Sequence, residues 1–303
     1  MKKRIRQILL LLKNSANKYK KDNPVRLAGT TAYFAVFAMA PIIIIVVSVL
    51  GILLDQESIQ EKIYAEIQNL IGEQGKEYIR GLVSNFEGTS RNITGTIIGF
   101  VIFLFTSTTF FTVLQRSLNY VWRIRAKPSS GFLKFLKDRL ISLTFILSFG
   151  FILLVSLLVD AALAFLGDYL ADLFPGITLN LMELVNIIIS FAVITFIFAM
   201  IFKYLPDAVI KWKETWVGAL ITAVLFTAGK WLIGFAIGSS NIGVMYGAAG
   251  SLVIILLWIF YSSIVFFFGA EITQQYAEMY EHDILPKDHA VRIEIREVTE
   301  EED

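Results

Sequence analysis

The sequence predicts an all-α, polytopic membrane protein with six transmembrane helices and both termini in the cytoplasm. Three observations predict it. Of 303 residues, 56% are hydrophobic and only 17% charged, with a mean hydropathy of +0.65, where a soluble domain carries about a quarter charged residues. The apolar residues gather into runs of the ~20 residues that a helix rising ~1.5 Å per residue needs to cross hydrocarbon, without the alternation of a barrel strand. Lysine and arginine are divided unequally between alternate loops, which sets direction.

In chain order, residues 1–31 carry nine of the basic residues, from Lys2 to Arg26. They are expected to form an amphipathic cytoplasmic arm on the membrane surface. Residues 32–271 form the membrane domain, with spans expected at 32–54, 93–114, 140–166, 184–204, 216–238 and 249–271; the third is long enough to tilt. Within the first span, Pro41 removes a backbone donor and is a candidate hinge. Between the first two spans, residues 55–92 repeat Ile59, Ile63, Ile67 and Leu70 at helical spacing, break at Gly72 and Gly75, and resume with Tyr78, Ile79, Leu82 and Phe86. That pattern predicts a cap of two amphipathic helices over the outer face, its carboxylates forming a solvated face. Trp122, Trp212 and Trp216 are expected as interface anchors. Residues 272–303 form a charged cytoplasmic tail with a disordered end. With Lys203 counted at the inner edge of its span, 22 of the basic residues fall on the side of the termini. Only Lys62, Lys76, Arg80 and Arg91 fall opposite, and Lys230 lies inside a span.

Composition also removes classes of chemistry. The chain has no cysteine, so disulfides and thiol catalysis are excluded. His282 and His289 both lie beyond the last span. No metal site and no cofactor is expected, and a net charge of +1 gives no sign of a nucleic-acid partner. The carboxylates of the membrane region are scattered singly, so the chain is not expected to be an enzyme.

Ionisable groups inside spans are costly, and each is a candidate site. Lys230 shares a helical stripe of small residues with Ala219, Ala223, Thr227, Gly234 and Gly238, and such stripes let helices approach closely in lipid. It lies ~14 residues, or ~21 Å, from the inner end of its span, too far to meet Glu271. Asp160 and Asn186, with Glu183 at the edge, are expected to join Lys230 in an outer polar cluster. An inner cluster is expected around Glu271, with Arg116 and Gln115 as partners and Tyr33 at similar depth. These clusters serve either a substrate path or the architecture alone.

The chain resembles the YihY/BrkB family of bacterial inner-membrane proteins, once labelled ribonuclease BN. The resemblance rests on Ala28-Gly29-Thr30-Thr31-Ala32-Tyr33-Phe34 and Ala40-Pro41, on Leu114 to Trp122, and on Asp138-Arg139-Leu140. It continues through Tyr204-Leu205-Pro206-Asp207-Ala208, Trp216 to Leu220, Gly229-Lys230, Tyr246-Gly247, Leu257-Trp258 and Gly269-Ala270-Glu271. It implies a multi-pass protein of the bacterial inner membrane, with transport of an amphiphilic or anionic, lipid-like substrate in envelope maintenance. The partners it implies are membrane lipids, that substrate and other envelope proteins. A non-transporting scaffold or assembly factor is the alternative. A ribonuclease is disfavoured, because neither paired carboxylates nor paired histidines are present.

Overall fold

The computed structural model describes residues 2–50, 55–88, 93–127, 140, 142–148, 151–152, 178–238, 246, 249–280 and 283–294. Helix α1 (Lys2–Lys21) turns at Asn23 into α2 (Pro24–Leu50). Asn23 adopts a φ of 52°, a left-handed conformation that asparagine tolerates. Pro24 then opens α2, where a missing N–H leaves no bond unmade. Helix α2 passes through Pro41 unbroken. Helix α3 (Gln56–Gly88) is two helices joined at Gly72, whose φ of 80° and ψ of 175° belong to glycine alone. The expected break therefore falls at Gly72, while Gly75 stays helical.

Helix α4 (Ile93–Val121), strand β1 (Ile124–Ala126), helix α5 (Thr178–Tyr204), strand β2 (Ala208–Val209), helix α6 (Trp212–Gly238), helix α7 (Gly250–Met279) and strands β3 (Leu285–Pro286) and β4 (Ala290–Arg292) complete the described order. The helical core is α7, which packs against α6, α2, α1 and α3; α2 also packs against α4, and α5 against α6. The α6–α7 seam is the tightest. A Cβ on Gly218 would come 2.8 Å from the Gly269 carbonyl oxygen, and one on Gly269 would strike Thr222. Thr222 and Thr273 each donate their hydroxyl to a carbonyl four residues back in their own helix, at 2.7 and 3.0 Å. Thr222 and Thr273 therefore line this seam without orphaned donors. Ala219 and Ala223 are fully buried, so that part of the expected stripe faces into the bundle; the closest contacts run along Gly218, Thr222 and Gly229 beside it.

Four helices among the described residues are long and apolar enough to cross a membrane: Pro24–Val47, Ile187–Tyr204, Trp212–Ile233 and Gly250–Met279. On α6 the bulky Trp231 and Phe235 are 77% and 78% exposed, a surface that hydrocarbon, not water, accommodates. The spans expected at 93–114 and 140–166 fall on α4 and on a stretch that is mostly outside the described residues. Helix α7 runs eight residues past the expected end of the last span, which puts Glu271 within the helix instead of at its close. The tail also differs from expectation. Strand β4 pairs antiparallel with β1, and β3 with β2, so residues 283–294 bind two loops together. A charged sequence concealed this, because the strands are only two or three residues long and their partners are far away in the chain.

Candidate functional site

The ends of α1, α4, α5 and α7, the starts of α2 and α6, and the paired strands meet at one end of the bundle. They build two adjoining polar networks there. The first begins on α1. Leu11, Ser15, Tyr19 and Asp22 are buried at the three- and four-residue spacing of one helical face, and that face packs on α7. The Tyr19 hydroxyl donates to the Ile264 carbonyl at 2.6 Å, and its ring lies 5.4 Å from Phe268. Burial, reinforced by the Glu271 charge, holds that hydroxyl above the usual phenol range. Lys18, one residue before it, places Nζ 3.3 Å from Glu271 Oε1 and 3.4 Å from Glu278 Oε1.

Glu271 is 0% exposed, and neither of its oxygens receives an aligned hydrogen bond. Its contact with Lys18 is an ion pair by distance only. Glu278 is better served, accepting the side-chain amides of Gln274 at 3.1 Å and Gln275 at 2.7 Å. Gln274 is buried, and its Oε1 has no donor. Just past the end of α1, buried Asp22 accepts from the Arg123 guanidinium. Arg123 sits at a φ of 56° just after α4, a conformation uncommon for a non-glycine residue. Its guanidinium also lies 5.3 Å from the Tyr120 ring centroid. Next to it the Trp122 indole donates to the Ala270 carbonyl at 2.9 Å, which ties α4 to α7 one residue before Glu271. An open pocket of about 550 Å³ lies over this network, lined by Lys18, Arg123, Gln274, Glu278, Arg292, Ile293 and Glu294.

The second network centres on Asp207, in the loop between α5 and β2. Its carboxylate accepts from Gln115 Nε2 at 3.1 Å and Asn119 Nδ2 at 2.8 Å, and His289 Nε2 lies 2.9 Å away. The Asp207 backbone N–H donates back to Asn119 Oδ1 at 2.9 Å. From the C-terminal segment, the Lys287 backbone N–H donates to the Asp207 carbonyl at 2.9 Å, and Lys287 Nζ to the Pro206 carbonyl at 2.8 Å. Burial holds the Lys287 ammonium below the usual lysine range, opposed by Asp207 and reinforced by Lys203.

The expected inner cluster is thus corrected. Glu271 is present and buried, but its cation is Lys18, not Arg116, which is exposed. Gln115 binds Asp207 instead, and Tyr33 is 58% exposed against Phe34 and Phe37. The reason is steric: the arm expected on the membrane surface occupies the flank of α7 and reaches Glu271 before α4 can. Trp122 is 2% exposed and belongs to the core, whereas Trp212 and Trp216 lie on the surface. Of the outer cluster, Lys230 is half-buried on α6 beside Gly229, whose missing Cβ admits the Tyr261 ring. Asp160 lies outside the described residues, and so do the side chains of Glu183 and Asn186 on α5. Among the described residues no three His, Asp or Glu side chains converge to hold a metal. Lys18, Asp22, Asn119, Arg123 and Asp207 are the site residues that sequence reasoning did not single out. Asp207 lay within the Leu205-Pro206-Asp207 run that carries the resemblance. A buried-face spacing on α1 was the only sign of Lys18.

The comparisons agree on kinship. The chain is similar to a UPF0761 membrane protein of Aeromonas salmonicida, 25% identical over 85% of each chain. It is also similar to UPF0761 membrane proteins of Pseudomonas paraeruginosa and Pseudomonas aeruginosa, each 27% identical over 84% of this chain and 60% of theirs. The chain therefore spans only about three fifths of the length of these Pseudomonas relatives. No solved structure matches it. The family model described as virulence factor BrkB matches residues 15–294, which takes in both networks from Lys18 to Arg292, and the chain is an integral membrane protein belonging to that family.

Proposed function

We propose that this protein translocates an amphiphilic, anionic substrate of the lipid type across the bacterial inner membrane in service of the envelope. In this reading it has six spans, both termini are cytoplasmic, and no catalytic step is involved. The observation that carries the reading is the pocket of about 550 Å³ in which Lys18, Arg123 and Arg292 converge at the end of the bundle. Each of the three is paired with a carboxylate, and Glu278 and Glu294 share the lining, so an anionic headgroup would bind there by displacing those partners. Cationic loops beside an inner leaflet concentrate anionic lipids there. Lys230, half-buried on α6, supplies a second polar station deeper in the path. A scaffold without transport is favoured instead by the Asp207 network, whose carboxylate partners are all internal.

The deciding experiment reconstitutes the full chain in vesicles and follows fluorescent anionic and zwitterionic phospholipids between leaflets, with RNA cleavage as a control. Protein-dependent movement, reduced in the Arg123→Gln/Arg292→Gln double variant, supports translocation. Folded wild-type protein that moves neither lipid class leaves the scaffold reading, and RNA cleavage by the purified chain overturns both.

A further inference from the structure

We propose that Glu271 is a proton-binding site: a buried carboxylate that exchanges the Lys18 ammonium of the N-terminal helix for a proton when that helix withdraws. The charge inventory points to it. Around Glu271 stand two other carboxylates, Asp22 and Glu278, and two cations, Lys18 and Arg123. Arg123 is committed to Asp22. Lys18 is left between Glu271 and Glu278. Glu278 is partly exposed and holds two side-chain amides, so it keeps its charge without Lys18. Glu271 is fully buried, and no side-chain amide donates to it. A carboxylate in that position is tolerated only when ion-paired or protonated.

Two further features fit the exchange. The counter-ion comes from a separate helix, since Lys18 arrives on α1, which packs on α7 by one face. The same helix leaves Leu9 and Leu10 exposed and carries seven other basic residues, a surface suited to anionic headgroups. The acid form also has a ready partner. One turn along α7, Gln274 Oε1 is a buried acceptor without a donor, on the helical face that Glu271 shares. A protonated Glu271 can donate its O–H there. The exchange replaces one positive charge with another, so the buried charge stays balanced. A proton needs no coordination shell, and no metal-holding group exists among the described residues.

Except for Glu214, which is buried, and Lys230, which is half-buried, both on α6, the other ionisable groups on elements packed against α7 are engaged elsewhere or exposed. On α1, Tyr19 is bound to the Ile264 carbonyl. On α2, Arg26 lies over the Tyr120 ring and Tyr33 is exposed. On α3, Lys76 and Arg80 pair with Glu73, Glu61 and Glu77. On α4, Arg116 is exposed. On α6, Lys213 lies over Tyr276 and Tyr280, and Glu214 is buried. In the C-terminal segment, Arg292 pairs with Asp283, and Glu294 lines the pocket.

The test treats the full chain in lipid nanodiscs with a hydrophobic carbodiimide, which modifies protonated carboxylic acids, and locates the adduct by peptide mass spectrometry. The wild type is expected to gain an adduct on Glu271 that increases as pH falls. Lys18→Met is expected to raise the yield, by about tenfold per unit of proton affinity at pH values where the carboxylate form prevails in both proteins. An infrared difference between Lys18→Met and Lys18→Met/Glu271→Gln should show the carbonyl stretch of a protonated acid. No adduct on Glu271 in folded wild type at any pH overturns the proposal, and so does a yield that Lys18→Met leaves unchanged. If Lys18→Met does not fold, the pH series on the wild type decides alone. None of these readings depends on lipid movement, so this inference and the translocation reading fail separately.

Discussion

Replacing Asp207 with alanine removes the acceptor that holds three segments at one end of the bundle. Gln115 Nε2 and Asn119 Nδ2 lose bonds of 3.1 and 2.8 Å, and both belong to α4. Bonds to a charged group contribute about 1.5–3 kcal/mol each. His289 is more than half exposed and is rehydrated, so its loss adds little. The two remaining bonds imply a cost of about 3 kcal/mol at the lower bound. A cost of that size is roughly a hundredfold in an opening equilibrium. The opening unit is the loop that carries Asp207, which those two bonds hold against α4. Its reporter is the Asp207 amide, bonded at 2.9 Å to Asn119 Oδ1. Hydrogen exchange on the purified full chain should show the amide at this position opening about a hundredfold more often in Asp207→Ala. Asp288→Ala, on the exposed turn between the strands, is the control and should leave it unchanged. If the amide exchanges at the wild-type rate in Asp207→Ala, the carboxylate does not hold the loop and the network has been misread.

Gly218→Ala should separate α6 from α7, because the new methyl meets the Gly269 backbone carbonyl and backbone cannot rotate away; a loss of about 1–3 kcal/mol is expected in thermal unfolding followed by tryptophan fluorescence, against no loss for an exposed substitution such as Leu220→Ala. The start of α3 should depend on acid. Asp55 accepts from the Ser58 backbone and hydroxyl, both at 2.9 Å, and the backbone bond first, then the hydroxyl, lowers its pKa. A depressed carboxylate stabilises above its unfolded pKa and loses that contribution as pH falls through the folded value. Exchange at Ser58 should therefore quicken only in that acidic window, and Asp55→Asn should remove the pH dependence. Lys230→Met should leave folded protein in the membrane while abolishing flux in reconstituted vesicles; normal flux would show that Lys230 has no required role.

The membrane helices were legible because hydrocarbon imposes a rule on the linear sequence. Backbone groups cannot be left unpaired there, so long apolar runs must be helices, and the spans expected at 32–54, 184–204, 216–238 and 249–271 overlap the helices found at 24–47, 187–204, 212–233 and 250–279. Gly72 was legible for a local reason as well, since only glycine takes its backbone conformation. Glu271 stood out by its type in an apolar run. Its partner did not, because a carboxylate does not record which neighbouring helix will reach it. Lys18 is more than 250 positions away in the chain, on a helix whose basic composition suggested a bilayer surface. The same holds for Asp207, whose acceptors and donors come from α4 and the tail. The sequence alone thus determined what must lie in lipid, since solvation acts on each segment by itself. Only the tertiary structure decided which charges meet, because an ion pair is a property of two segments and of whatever else competes for the space between them.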